Sequence, residues 1–367
     1  MNTVPILDGD GHIFEDLAGI EKFLPGRYKQ AGRPLGVLYP GLDQFHIGSV
    51  VVGRTPPEAF GGGKPVGPKE WRRFMEEVGI ESAVLYPTAG LAYGRITDID
   101  YAIDLARAYN DWLAETYVKE GKLFQGIALI PMQEPEAAAE ELRRSVRELG
   151  MCGAMLPSVG LKMHLGSREY FPVYREAEQL GCVLAAHGGD HGNLGFDDLN
   201  VFAAVHALGH PFGMMIGLAA MVFNGVWDRF PGLRVGFLEA GVAWLGFCLE
   251  RFDGSYGAFT PYNARGELLK LPEGQKISDY IIRLIRSGNI GIGCEGDEPD
   301  LPHLVRRVGV EPFLFSSDYP HEVNAGTCKE EIGELLENEA LTQQEKQAIL
   351  RGNAERFYKV GVPTPVA

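Results

Sequence analysis

Val183-Leu184-Ala185-Ala186-His187 reads as a short strand that ends on a polar side chain, and the fold follows from how often that arrangement returns. Apolar residues without alternation mark a strand covered on both faces, as in a parallel sheet. An imidazole directly after them belongs at the strand's mouth end, outside the packed layers. Working outward, Val235–Glu239 repeats the pattern with Glu239 at its end, and Phe313–Ser317 repeats it with Asp318 next. Ile6–Phe14 carries Asp8-Gly9-Asp10-Gly11-His12. With Ser82–Pro87, Leu123–Pro131, Gly153–Pro157 and Ile290–Cys294 there are eight such runs, each bounded by Gly, Pro or acidic residues.

Between the runs lie stretches with apolar residues at helical spacing. These are Tyr101–Val118, Glu134–Leu149 with Gly150 as its stop, Pro172–Leu180, Ala243–Arg251, Ile277–Arg286, Leu301–Val308, Lys329–Leu336 and Thr342–Phe357. The stretch Asp190–Phe230 is longer than one crossover helix and predicts two. Strand–helix alternation means parallel strands joined by right-handed crossovers. Eight units predict an α/β chain closed as a (β/α)₈ TIM barrel, one domain over residues 1–367. An open doubly wound sheet would be supported by a GxGxxG turn after the first strand, and that turn is absent. Residues 15–67 break the pattern as a long insert after strand one, with Gly61-Gly62-Gly63 and several prolines; a segment of this kind is a lid or an oligomer contact.

Composition narrows the partners. Across 367 residues, 34 Lys+Arg against 49 Asp+Glu leave a net charge of −15, which disfavours nucleic acid and anionic membranes. No run of about 18 apolar residues predicts a membrane span, and Met1–Ile6 lacks the basic and apolar regions of a secretory signal. Cys152, Cys182, Cys248, Cys294 and Cys328 are odd in number and contain no CxxC pair, so reduced thiols and a cytoplasmic location are expected.

The chemistry sits at strand ends. Alternation on the first strand projects Asp8, Asp10 and His12 to one side. His187, Glu239 and Asp318 end strands five, six and eight, in the layer where barrels place catalytic groups. Strands one and eight are neighbours in a closed barrel, so Asp10, His12 and Asp318 converge. Carboxylates gathered there repel one another, and a cation removes that penalty.

These residues resemble the amidohydrolase superfamily, and within it the aminocarboxymuconate-semialdehyde decarboxylase-like and γ-resorcylate decarboxylase-like branch (amidohydrolase 2). The likeness covers nearly the whole chain. It is carried by Asp10-Gly11-His12 with Glu15, His187, His210-Pro211, and Phe230-Pro231-Gly232-Leu233-Arg234. It continues through Phe237-Leu238-Glu239-Ala240-Gly241 with Trp244, Arg251 with Asp253, Ser317-Asp318-Tyr319-Pro320-His321, and Asn353-Ala354-Glu355-Arg356-Phe357-Tyr358. The resemblance implies a distorted barrel with a divalent metal at its mouth, Asp10, His12, His187 and Asp318 as ligands, and Asp318 also as a proton relay. It departs at two places. Many relatives carry His, and the decarboxylases Glu, where this chain has Asp10; Glu239 replaces a histidine. Glu239 would bridge a second metal, act as a general base, or pair with Arg251. The carbamylated lysine of binuclear relatives has no counterpart in Met155-Leu156-Pro157.

Other positions carry two readings each. His210 is a site residue or a helix-end histidine, and with Glu239 it would assist proton transfer. His321 orients Asp318 or the substrate, or faces solvent. Glu15 is a ligand or a salt-bridge partner. Glu15, Glu239, His210 and His321 together would hold a second metal or position the ligands of the first. His206, His191, Asp190, Glu295 and Asp297 read as ordinary helix or loop polar residues. Tyr86, Pro87 and Pro157 shape the pocket wall, Cys294 is a buried thiol, and Trp244 and Phe247 are core. Carboxylate and imidazole without thiolate suit Zn, Mn or Fe, with one ion expected and two as the alternative. The function read from this is a metal-dependent hydrolase or non-oxidative decarboxylase acting on a small organic acid or amide. The alternatives are a dinuclear iron oxygenase on the same barrel and a non-catalytic subunit of a hetero-oligomer. A homo-oligomer is expected.

Overall fold

The computed structural model describes residues 5–29, 38–42, 66–263 and 268–360. Eight strands form one parallel sheet in chain order: β1 (Ile6–His12), β2 (Ile80–Tyr86), β3 (Phe124–Ala128), β4 (Gly153–Pro157), β5 (Val183–His187), β6 (Arg234–Phe237), β7 (Ile290–Cys294) and β8 (Phe313–Phe315). Helices separate them, as a buried parallel sheet requires. The expected TIM barrel is the observed architecture.

β8 does not form a regular ladder with β1; the seam closes just past it. The Asp318 amide donates to Asp10 O (3.0 Å) and the His12 amide to Tyr319 O (2.7 Å). The Ser317 amide and hydroxyl donate to the Asp8 carboxylate at 3.0 and 2.6 Å. A register shift between Asp8 and Gly11 breaks simple alternation along β1. Asp8 therefore clamps the seam and does not join Asp10 and His12, contrary to the alternation expected from sequence.

β6 and β8 stop earlier than expected, at Phe237 and Phe315, so Glu239 and Asp318 sit in the loops beyond. Both residues have left-handed backbones, with φ of 55° and 53°. A non-glycine residue pays about 1–2 kcal/mol for that conformation, so packing holds it there.

Helix Pro68–Val78, absent from the helices expected from sequence, follows directly on the insert. It buries Trp71, Phe74 and Met75, and the Trp71 indole donates to His12 O at 2.9 Å. Gly11 admits that ring: a Cβ there would lie 2.4 Å from Trp71 Cη2. Of the insert itself, helices Leu17–Glu21 and Gly26–Lys29 and residues 38–42 are described; the rest of the expected lid or oligomer contact, including Gly61–Gly63, lies outside the described residues.

Asp190–Phe230 holds the two expected helices, Phe202–Phe223 and Val226–Arg229. The first is long and apolar enough to cross a membrane, yet half of its most apolar stretch is buried in the protein, as for a barrel helix. The C-terminal helical segment seals the far end of the barrel. Tyr358 donates to Gly9 O (2.8 Å) and meets the Tyr86 hydroxyl (2.9 Å), while Asn353 donates to Val310 O and Phe313 O.

Candidate metal centre

Asp10, His12, His187 and Asp318 meet at the strand mouths. Asp10 Oδ1 lies 3.6 Å from His187 Nε2 and 3.7 Å from His12 Nε2, and His12 Nε2 lies 3.5 Å from Asp318 Oδ1. Ligands about 2.1 Å from one tetrahedral ion stand about 3.4 Å apart. The donors are thus spaced as edges of a coordination polyhedron and are too far apart for hydrogen bonds among themselves.

The tautomers agree with that use. His12 Nδ1 meets Pro87 O at 2.8 Å, and His187 Nδ1 meets Gly188 O at 3.0 Å. Each carbonyl accepts a hydrogen bond from Nδ1–H, which on the neutral ring leaves Nε2 bare toward Asp10. Asp10 is 1% exposed. Neither of its oxygens has a hydrogen-bond partner, nor do His12 Nε2, His187 Nε2, His210 Nδ1 and Glu239 Oε2. Buried polar atoms are normally paired, so six orphans at one mouth fit a cation-binding role for that mouth.

The electrostatics say the same. Burial, reinforced by Asp318, raises the Asp10 carboxyl above its usual range, although His187 opposes this. Burial and the imidazoles of His321 and His187 push His12 well down. His187 is pushed down by burial too, but Glu239 and Asp10 overcome it and hold the ring up to about 9. The mouth is short of positive charge.

Glu239 reaches into this mouth from the loop after β6. Its Oε2 lies 3.2 Å from His187 Nδ1 and 3.4 Å from His210 Nδ1, and its Oε1 3.9 Å from His321 Nδ1. It makes no ion pair with Arg251, which is exposed. His210 lies in the interior of helix Phe202–Phe223 and is buried beside Glu239, so the helix-end reading does not hold. Gly188 makes room for it, since a Cβ there would stand 2.1 Å from His210 Nδ1. His321 is buried with its Nδ1 2.7 Å from Asp318 Oδ1 and its Nε2 2.9 Å from Thr88 Oγ1. Its ring stacks on His12 with centroids 4.2 Å apart.

Several expectations change. Glu15 is engaged elsewhere: its two oxygens accept from the Ala89 and Gly90 amides at 3.0 and 2.8 Å, fixing the loop after β2, and among the described residues it pairs with no cation. Asp190 accepts from Arg95 (2.7 Å) and His191 is buried against His210. Phe247 is exposed and not core, whereas Trp244 is buried. Burial pushes the Cys294 thiol well up, which makes it a poor nucleophile, and none of the five cysteines is in a disulfide. Thr88 was missed, although its place directly after Tyr86-Pro87 obeys the strand-end rule that found the others. A cleft opens above, lined by Leu42, Leu91 and Phe202 together with Thr88, His210 and His321.

A sequence model of the amidohydrolase family matches residues 61–360. The chain belongs to that family. This amidohydrolase is 29% identical over 259 residues to 2-amino-3-carboxymuconate-6-semialdehyde decarboxylase of Dictyostelium discoideum, covering 70% of this chain and 67% of that one. It is 28% identical over 304 residues to γ-resorcylate decarboxylase of Polaromonas, covering 78% and 86%. Among solved structures it resembles 5-carboxyvanillate decarboxylase of Sphingomonas paucimobilis (TM-score 0.72, 20% identity, 98% and 100% covered). It also resembles a dihydroxybenzoic acid decarboxylase of Polaromonas with bound manganese and 2-nitroresorcinol (TM-score 0.68, 22% identity, 97% of each chain). The protein is an enzyme of the amidohydrolase superfamily, and its curated relatives are decarboxylases.

Proposed function

We propose that this amidohydrolase removes the carboxyl group of a small aromatic acid as CO₂, without an oxidant. Asp10, His12, His187 and Asp318 hold one divalent ion of the Zn, Mn or Fe class, as the orphaned donor atoms of Asp10, His12 and His187 and the spacing of all four support. When bound, such an ion supplies positive charge to a substrate carboxylate or phenolate. The observation that carries decarboxylation is the chain Asp318–His321–Thr88. Exchanging a C–CO₂ bond for C–H requires a proton delivered beside that carbon. Here a carboxyl group touches an imidazole at 2.7 Å, and Thr88 fixes the far side of that ring at 2.9 Å. Leu42, Leu91 and Phe202 give the cleft apolar walls for an aromatic ring, with polar groups at its floor. The relatives from Dictyostelium and Polaromonas, both named as decarboxylases, support the same reaction.

The proposal extends to the surroundings. Leu208, Phe212 and Ile216 expose an apolar stripe four residues apart on one helix, which supports assembly of copies. Free thiols support a reducing, cytoplasmic setting.

The test is CO₂ release from a panel of hydroxylated benzoates in D₂O. One deuterium should appear at the carbon that lost its carboxylate, chelation should abolish turnover, and Asp318→Asn should cut kcat at least about 100-fold. Hydrolysis of amides or esters by the same preparation, with no CO₂ from any acid, would overturn the assignment.

A further inference from the structure

We infer that Glu15 is a positioning residue for proton delivery, acting through Thr88 on the imidazole of His321; the inference rests on the decarboxylase reading above. Glu15 Oε2 and Oε1 accept from the amides of Ala89 and Gly90 at 3.0 and 2.8 Å, and the Thr88 amide faces the same carboxylate. Successive amides turned onto one carboxylate make an anion-binding turn, and hydrogen bonds to an ionised acceptor are about twice as strong as neutral ones. A side chain three residues past His12 thus grips a loop that lies 74 positions further along the chain.

That loop is pinned on both sides of Thr88. Before it, Pro87 O meets His12 Nδ1 at 2.8 Å; after it, Glu15 holds Ala89 and Gly90. Between the pins, Thr88 Oγ1 meets His321 Nε2 at 2.9 Å, and the opposite nitrogen of that ring meets Asp318 Oδ1 at 2.7 Å. Thr88 is buried, so its hydroxyl has little solvent to turn to if the loop shifts. The Leu91 amide donates to Thr88 O at 3.1 Å, and Leu91 walls the cleft, so the same grip holds the surface offered to an aromatic ring. Glu15 is not among the described residues that line the cleft. Its effect on the reaction is therefore indirect, and a displacement of about 1 Å in such a support costs up to about 100-fold in rate.

A double-mutant cycle tests it. The full chain loaded with Mn(II) is assayed for CO₂ release from the hydroxybenzoate panel. Glu15→Gln keeps the size of the side chain and one acceptor oxygen, and should lower kcat about 10-fold with KM and bound metal unchanged. Thr88→Val should lower kcat by a similar factor, and Thr88→Ser, which keeps the hydroxyl, should recover most of the loss. Adding Glu15→Gln to Thr88→Val should cost less than about 2-fold more, because both changes break one chain of contacts. Losses that multiply, or a Glu15→Gln loss that follows bound metal, would overturn the positioning role. Ring-nitrogen NMR of the Zn(II)-loaded protein without substrate reads the same link: Glu15→Gln and Thr88→Val should both move the His321 signals. Signals left in place by Glu15→Gln would overturn the inference. Wild type that releases CO₂ from no acid would overturn the decarboxylase assignment instead, and the His321 signals would then decide the role of Glu15 alone.

Discussion

Replacing Asp10 with Asn should move stability in opposite directions with and without metal. Asp10 is 1% exposed and neither oxygen is hydrogen-bonded. It shares its mouth with Glu239 and Asp318, and burial already raises its carboxyl above the usual range. Replacing buried ionic groups by neutral ones of similar volume stabilises a protein by up to about 1–4 kcal/mol, and His187 only partly offsets the burial of Asp10. The amide can also donate to the bare Nε2 atoms at 3.6 and 3.7 Å after a small adjustment. Unfolding entropy of about 2.1 cal/mol/K per residue over 367 residues amounts to about 0.77 kcal/mol/K. A gain of about 2 kcal/mol therefore raises the Tm of the chelated protein by about 2.6 °C. With metal at about 100 times its Kd, wild type gains about 2.7 kcal/mol, or about 3.5 °C. A variant with about 100-fold weaker affinity gains only about 0.4 kcal/mol at the same concentration. Thermal unfolding of both proteins with chelator and with added Zn(II) or Mn(II) makes the comparison. If Asp10→Asn lowers Tm equally in both conditions, Asp10 is a structural acceptor and the reasoning fails.

Other substitutions read the scaffold around the mouth. Gly188→Ala should displace His210, because its Cβ would meet Nδ1 at 2.1 Å and Cε1 at 2.8 Å; about 1–3 kcal/mol of overpacking is expected in denaturant unfolding. Tyr358→Phe leaves Gly9 O and the Tyr86 hydroxyl without their partner, at a cost of about 1–2 kcal/mol by urea midpoint, while metal stoichiometry stays that of wild type. Asn110→Ala strips three buried hydrogen bonds, two to the Leu129 backbone and one to Glu141, and should cost about 3–5 kcal/mol in the same assay; a loss under about 1 kcal/mol would show that the network relaxes.

The barrel was legible because each buried strand writes an apolar run and each mouth residue interrupts it. β4, β5 and β7 fall on the residues expected for them. Strand ends were less legible where the chain turns into the left-handed region. Glu239 and Asp318 look like continuations of β6 and β8, and no residue type there announces a positive φ. Asp8 misled for a related reason: a register shift within β1 is set by the Ser317 contacts across the seam, more than three hundred residues away in the chain. Glu15 shows the limit for single carboxylates, since sequence offers no means of seeing the Ala89 and Gly90 amides that claim both its oxygens. The convergence of Asp10, His12, His187 and Asp318 was readable from their positions at strand ends. What tertiary structure adds is the tautomer control by Pro87 and Gly188, the reach of Glu239 to His187 and His210, and the place of Thr88 behind His321.

The most direct measurement is anomalous diffraction from crystals of the metal-loaded protein, recorded at the absorption edge of the ion. A peak should stand within about 2.0–2.3 Å of Asp10, His12, His187 and Asp318 together. An ion bound elsewhere, or a loaded crystal whose anomalous map is flat at that mouth, would contradict the metal centre on which the proposed chemistry rests.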